Sequence, residues 1–369
     1  MTMRVAVVGA GAVGLTAART LADRGTDVVL YDRGEIASGA TGRAAGLCYD
    51  AFAEDRDAAV AADSLRRFRE LGVLTECPYV WYARDGDEAN ADAIAQQVPR
   101  MQTHGRDVAL VEPERLGERY PQLRTDEIGV AAIAHRAGFV DPTEYASALT
   151  ETVLERGVGV RTETPVSLAG PTTVAEPDGM VGFDAVLVAA GPATKPIVAD
   201  VGVALPLQAY RAQALVTEPL RATLPMAYDA TQQCYWRPCE GGILVGDGAH
   251  EVDPDDWDPD ADASFERSAL DRLGAATTVD ATRAQSWAGL CTATPDREPL
   301  LGGVGDGLYV ATGWHGHGLM RSPALGERIG EQILGGPGVD AYDPDRFTGD
   351  ETIDVVDGMT LDEDEETPS

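Results

Sequence analysis

Arg4-Val5-Ala6-Val7-Val8, followed by Gly9-Ala10-Gly11-Ala12-Val13-Gly14, is the stretch of this 369-residue sequence on which the fold turns. A helical pattern runs on from Leu15 to Arg24, with small Ala17 and Ala18 on one face, and Gly25 closes it. A second apolar run, Val28-Val29-Leu30-Tyr31, ends at Asp32. Strand, helix and strand within about 30 residues make a β-α-β unit, the usual opening of a dinucleotide-binding fold. Gly9 permits the tight turn, Gly11 lets backbone approach a pyrophosphate, and Gly14 lets helix and strand pack closely. The helix start at Ala12 and Val13 offers unpaired N–H groups and a positive dipole end to that pyrophosphate. Asp32, at the end of the second strand, can accept ribose hydroxyls, with Arg33 beside it. NAD and FAD sites share this opening.

Outward from the motif, strand-like and helix-like segments alternate. Phe183 to Ala190 is a continuous apolar run ending at Gly191, as in a parallel sheet buried on both faces. Residues 210–250 alternate and predict antiparallel strands, while Leu308 to Ala311 and a helix over about 322–334 complete the pattern. The expectation is an α/β chain of two interleaved parts. A Rossmann-like nucleotide domain takes residues 1–76, 145–210 and 285–346, and an antiparallel substrate domain takes 77–144 and 211–284. The acidic end, 347–369, is expected to be a disordered tail.

Composition narrows the function classes. Asp plus Glu number 61 against 29 Lys plus Arg, a formal charge of −32, with Lys195 the only lysine. Such a chain repels phosphate and anionic lipid, so nucleic acid and membrane surfaces are poor partners. Acidity with almost no lysine resembles proteins of salt-loving archaea and implies weakened folding in dilute buffer. Five cysteines without a C-x-x-C pair give no disulfide framework. The start carries no cleavable signal pattern and no apolar stretch is long enough to span a bilayer, which predicts a cytoplasmic protein. The six aspartates of residues 253–262 lack calcium-loop spacing, and His315-x-His317 has no further ligands, so no metal is expected.

Four further stretches give the chain a family resemblance. They are Ala37 to Gly46 (ASGATGRAAG), Asp141-Pro142 with Arg156-Gly157-Val158, Val186 to Gly191 (VLVAAG), and Thr294 to Gly302 with Gly313 to Gly318. In order and spacing they resemble the D-amino-acid oxidase, sarcosine oxidase and glycine oxidase group of FAD-dependent amine oxidoreductases. The resemblance runs from residue 3 to about 336 and implies a glutathione-reductase-like FAD fold with an antiparallel substrate domain. It implies FAD contacts at Ser38, Thr41, Arg43, Ala45 and Gly46 beneath the ring and at Val166 by the adenine. It implies more at Ala190 and Gly191, and at Gly313, Gly316, His317, Gly318, Leu319 and Met320.

The implied reaction oxidises a C–N bond of a small amino acid or N-methyl amine, with oxygen or another acceptor taking the electrons. Tyr235 matches the group's substrate tyrosine. Trp287-Ala288-Gly289-Leu290 matches the stretch before its carboxylate-binding arginine, but Cys291 stands where that arginine would be. A thiol cannot clamp a carboxylate bidentately. Arg237 is the first choice to replace it, because strand spacing puts it on the face of Tyr235; Arg321 and Arg43 are the others. Some sarcosine oxidases hold FAD through a cysteine thioether at the position of Gly289, so non-covalent FAD is expected here. The alternative is a flavin subunit of a multi-protein dehydrogenase.

Overall fold

The opening motif folds as β1 (Arg4–Val8), α1 (Ala12–Asp23) and β2 (Asp27–Tyr31) in the computed structural model, which describes residues 2–356, 358, 359 and 361. Its glycines are sterically fixed. A Cβ on Gly9, whose φ is +109°, would lie 2.4 Å from the Ala189 carbonyl oxygen, and one on Gly14 would lie 1.9 Å from the Gly9 oxygen. A side chain at Gly9 would push away the chain at Ala189 and Ala190, and one at Gly14 would separate helix from strand. Leu15, Leu21 and Leu30 are fully buried around this unit, each contributing about 1.5–3 kcal/mol.

β1 and β2 sit in a six-stranded sheet ordered Leu300–Gly303, Leu308–Thr312, Ala185–Val188, β1, β2, Gly159–Arg161. All neighbours are parallel except the first pair. The chain leaves β1 toward β2 and returns on its other side at Ala185–Val188, so a topological switch point lies between them. That is where such sheets bind ligands, outside the carboxyl ends of the strands. The last helix, Gly318–Ile333, lies on α1, and Gly326 and Gly330, four apart on one face, receive Thr16 and Thr20.

A second sheet of eight strands carries the other half of the molecule, in the order 283–293, 208–217, 242–251, 234–239, 226–229, 79–84, 128–134, 108–110. It is antiparallel apart from one pair: Met226–Asp229 runs parallel to Tyr79–Arg84, joining the two expected substrate segments. Sheet membership moves two of the expected boundaries. Arg283–Ala293 pairs with Gln208–Thr217 along its length, so residues 285–293 and 208–210 belong to this sheet and not to the nucleotide sheet.

The six aspartates of the acidic turn are all exposed, while the described end of the chain differs from its expected disorder. The acidic turn is pinned down by Arg211, which is buried and bonds the Asp258 and Asp260 carbonyls and the Asp262 carboxylate. Beyond residue 347 the described part of the tail is ordered chain, with Met359 and Leu361 packed against the core. The expectation for residues 362–369 lies outside the described residues. Among the described residues no helix is long and apolar enough to cross a membrane.

Candidate active site

A cavity of about 850 Å³ runs from the carboxyl ends of β1 and β2 onto one face of the eight-stranded sheet. At the nucleotide end it is lined by backbone of Gly9, Gly11, Ala12 and Val13, facing Asp32, Arg33 and Ser38. Val166, Ala190 and Gly191 close the opposite wall. The Asp32 carboxylate accepts the Ala10 N–H at 2.7 Å on one oxygen and the Gly34 N–H at 2.9 Å on the other. Each oxygen keeps a further lone pair for a ribose hydroxyl. Thr41 Oγ1 accepts the Ala12 N–H at 3.0 Å, so one free donor at the helix start is answered by protein. Gly313, expected as a cofactor contact, does not line the cavity and sits behind it as a packing point; Gly14 does not line it either and packs helix on strand, as its spacing predicts.

Asp32→Asn is expected to weaken FAD about tenfold. It keeps a carbonyl acceptor but removes the charge, a difference of about 1.4 kcal/mol. Fluorimetric titration of apoprotein with FAD checks it, and an unchanged dissociation constant would reject the role.

The ring end is built by a ladder of small residues. Cross-strand pairing sets Tyr235, Gly246, Ala214 and Trp287 in one row. Ala212 and Gly289 form the next row and Tyr210 and Cys291 the one beyond. The middle of this floor carries no side chain larger than a methyl, which leaves a flat bed bounded by Tyr235, Tyr210 and the tryptophans. Tyr235 lies on Gly246 so closely that a Cβ there would come within 2.3 Å of its phenol. Gly246→Ala must therefore displace Tyr235. We expect about a tenfold rise in KM with FAD binding unchanged, checked by steady-state kinetics beside flavin titration.

The loop Ala37 to Gly46 closes over this bed. Trp287 Nε1 donates to the Arg43 carbonyl at 3.0 Å, and the Arg43 side chain crosses Gly289 to place its guanidinium 5.5 Å from the Trp257 ring centre. Ala45 and Gly46 line the cavity, and a Cβ on Gly46 would meet the Val140 oxygen at 2.1 Å. Bare backbone from two directions and a flat floor between them fit a planar ring joined to a dinucleotide tail.

Two arginines are placed elsewhere. Arg237 is on the face of Tyr235, as strand alternation requires, but it is buried beneath the loop and not in the cavity. Its Nε donates to the Ala45 carbonyl, its Nη1 to the Pro238 carbonyl at 2.8 Å, and its guanidinium lies 4.8 Å over Phe139. Arg321 is 5% exposed and pairs with Asp57 at 3.2 Å and Glu298 at 3.0 Å. Neither lines the cavity. Of the three arginines considered for a substrate carboxylate, Arg43 lines the cavity.

His317 does line it, with Nε2 3.5 Å from the Tyr49 hydroxyl. Tyr49 in turn stacks on Tyr79 at 4.3 Å. Burial, then the neighbouring Arg321 and His315, hold the His317 imidazole well below its usual pKa. Burial and then Arg297 push His315 down to about 4. Both are therefore neutral at pH 7. Tyr49, Tyr210 and Trp257 escaped sequence reasoning, and Trp287 entered it only as part of a matched stretch, since only pairing shows which aromatic borders the bed. Among the described residues no three His, Cys, Asp or Glu side chains converge to hold a metal ion.

A depressed histidine favours the folded state only while the unfolded chain is also neutral. That stability is complete above about pH 6.5 and is lost as pH falls toward 4, by about 3 kcal/mol for His315. Melting temperature at fixed salt should fall more steeply between pH 6.5 and 4.5 in the wild type than in His315→Gln. Equal slopes would reject the assignment.

Residues 4–332 match the family described as DAO, FAD dependent oxidoreductase. Dimethylglycine dehydrogenase of Rattus norvegicus is 26% identical over 92% of this chain, which spans 44% of that protein. Glycine oxidase of Pseudomonas putida is 26% identical over 91% of the chain and 95% of its own length. Among solved structures, an L-proline dehydrogenase from P. horikoshii superposes with a TM-score of 0.86 at 25% identity, covering 94% of this chain and 97% of the other.

Proposed function

The chain belongs to the DAO family of FAD-dependent oxidoreductases, and on that premise we propose that it oxidises a carbon–nitrogen bond of a small amino acid or N-methyl amine. The observation that carries this reading is the flat small-residue bed, bounded by Tyr235 and a neutral His317, in continuity with the Gly9–Asp32 nucleotide site. FAD, held without a covalent bond by the Gly9–Asp32 site and the loop Ala37 to Gly46, would supply a hydride acceptor for the carbon next to nitrogen.

The protein's share is alignment and proton control. Tyr235, laid on Gly246, fixes one edge of the substrate, and Tyr210 fixes another. An ammonium must lose its proton before its C–H bond can give up a hydride. Burial and Arg321 disfavour a charged His317, so its imidazole, steadied by Tyr49, offers an uncharged wall and the amine gives up its proton to water before it is enclosed. Enclosure by aromatic rings keeps water from the reacting carbon. The product imine is then hydrolysed by water. A carboxylate on the substrate would find its counter-charge in Arg43.

Anaerobic bleaching of the flavin by a panel of glycine, sarcosine, dimethylglycine, proline and D-amino acids tests the reading. Bleaching by at least one is expected, and an unreduced flavin across amines of every class would overturn it. Likeness to the L-proline dehydrogenase favours a second reading, in which a partner protein and not oxygen takes the electrons. Substrate-dependent peroxide from the purified chain alone would reject that version.

A further inference from the structure

The chain continues past the family match at residue 332 and returns to the cavity. Its path is anchored twice. Arg346 pairs with Asp296 at 2.8 Å and donates to the Glu298 carbonyl at 2.9 Å, and Tyr342 is fully buried. The Glu351 carboxylate then accepts the Thr348 and Gly349 N–H groups at 2.6 and 2.9 Å, folding a turn. Beyond it, Gly358 and Met359 form part of the cavity lining, and Met359 and Leu361 also pack on the core.

Gly358 is seated with no space to spare. A Cβ there would lie 2.1 Å from the His315 carbonyl oxygen and 3.4 Å from His317 Cε1. His315 itself is a non-glycine residue at φ 49°, 3% exposed, and its ring meets the Val356 backbone of the returning segment. A strained, buried ring on the cavity wall is thus touched from behind by the returning segment at Val356 and at Gly358. The segment that presses on its carbonyl is what holds it there.

We infer that the C-terminal segment around Gly358 and Met359 is a wall of the amine site, with Met359 limiting the size of the group admitted and Gly358 seating the wall on His315. This rests on the reading of the cavity as the amine site. Met359 is an unbranched side chain, so shortening it opens room without moving backbone. Gly358, by contrast, admits no larger residue without lifting the segment.

Three variants of the FAD-loaded enzyme test it: Met359→Ala, Gly358→Ala, and a chain ending at Asp354 that keeps the Glu351 turn. The first readout needs no substrate. Iodide quenching of bound-flavin fluorescence, at constant total halide, should rise about threefold in Gly358→Ala and in the shortened chain. The second uses the best amine of the panel and homologues longer by one and two methylenes. Met359→Ala should shift the kcat/KM ratio toward the longer homologue by about tenfold. Wild-type quenching in both wall variants, or a wild-type size ratio in Met359→Ala, would overturn the inference. If no amine bleaches the flavin, the amine reading fails while the quenching result still decides whether the wall exists.

Discussion

Arg321→Ala is expected to lose about 3–5 kcal/mol of folding stability while leaving the substrate constant of whatever folds within threefold of wild type. The guanidinium lies between Asp57 and Glu298, and all three side chains are at least four-fifths buried. Removing the cation leaves two carboxylates facing one another with little water. Arg56, 2.6 Å from Glu298, neutralises one of them but stands half in solvent. Burial already raises the Glu298 pKa against the pull of Arg321. Without that pull it rises further, so the variant should bind a proton on folding. Its deficit should therefore shrink as pH is lowered from 8 to 6, opposite in sign to the histidine effect. Urea unfolding at the two pH values reads this directly, with Arg321→Lys retaining part of the stability. A normal melting curve with a large rise in KM would return Arg321 to the substrate site.

The contrast between Arg321 and the opening motif explains what the sequence can carry. Gly9, Gly14 and Asp32 act on neighbours within one β-α-β unit, so spacing along the chain is nearly spacing in space. The partners of Arg321 come from 264 residues upstream and 23 residues upstream, and no local pattern links them. Arg237 is a subtler case. Alternation placed it correctly on the face of Tyr235, but one face of a strand need not be open along its whole length. The loop at Ala45 and Gly46 covers that face two residues after Tyr235, and a loop's path is not a property of the strand beneath it. The tail shows an averaging error. Residues 347–369 are acidic as a set, yet Ile353, Val355, Val356, Met359 and Leu361 are apolar and fall within nine positions. A narrower window separates a segment able to pack from the acidic end that follows it.

The placement of Arg237 leads to the other large effect. Arg237→Ala is expected to weaken FAD about 100-fold, with substrate constants at saturating FAD changed less than threefold. The buried guanidinium joins the Ala45 carbonyl to the Pro238 carbonyl and stacks on Phe139. A hydrogen bond from a charged donor contributes about 1.5–3 kcal/mol, and the ring contact about 0.5–2 kcal/mol. Ala45 and Gly46 line the cavity, and Gly46 is also held by its carbonyl, which accepts the Val140 N–H at 2.9 Å. Loss of Arg237 leaves the strand attachment on one side of Gly46 and frees the side at Ala45. The loop must then be ordered by FAD itself, and about 3 kcal/mol of ordering corresponds to roughly 100-fold in affinity. Arg237→Lys should recover little, because one ammonium cannot span two carbonyls and stack as a plane. Flavin titration of the apoprotein separates the roles. An unchanged FAD constant with a 100-fold higher KM would mean that the guanidinium leaves the loop and enters the substrate site.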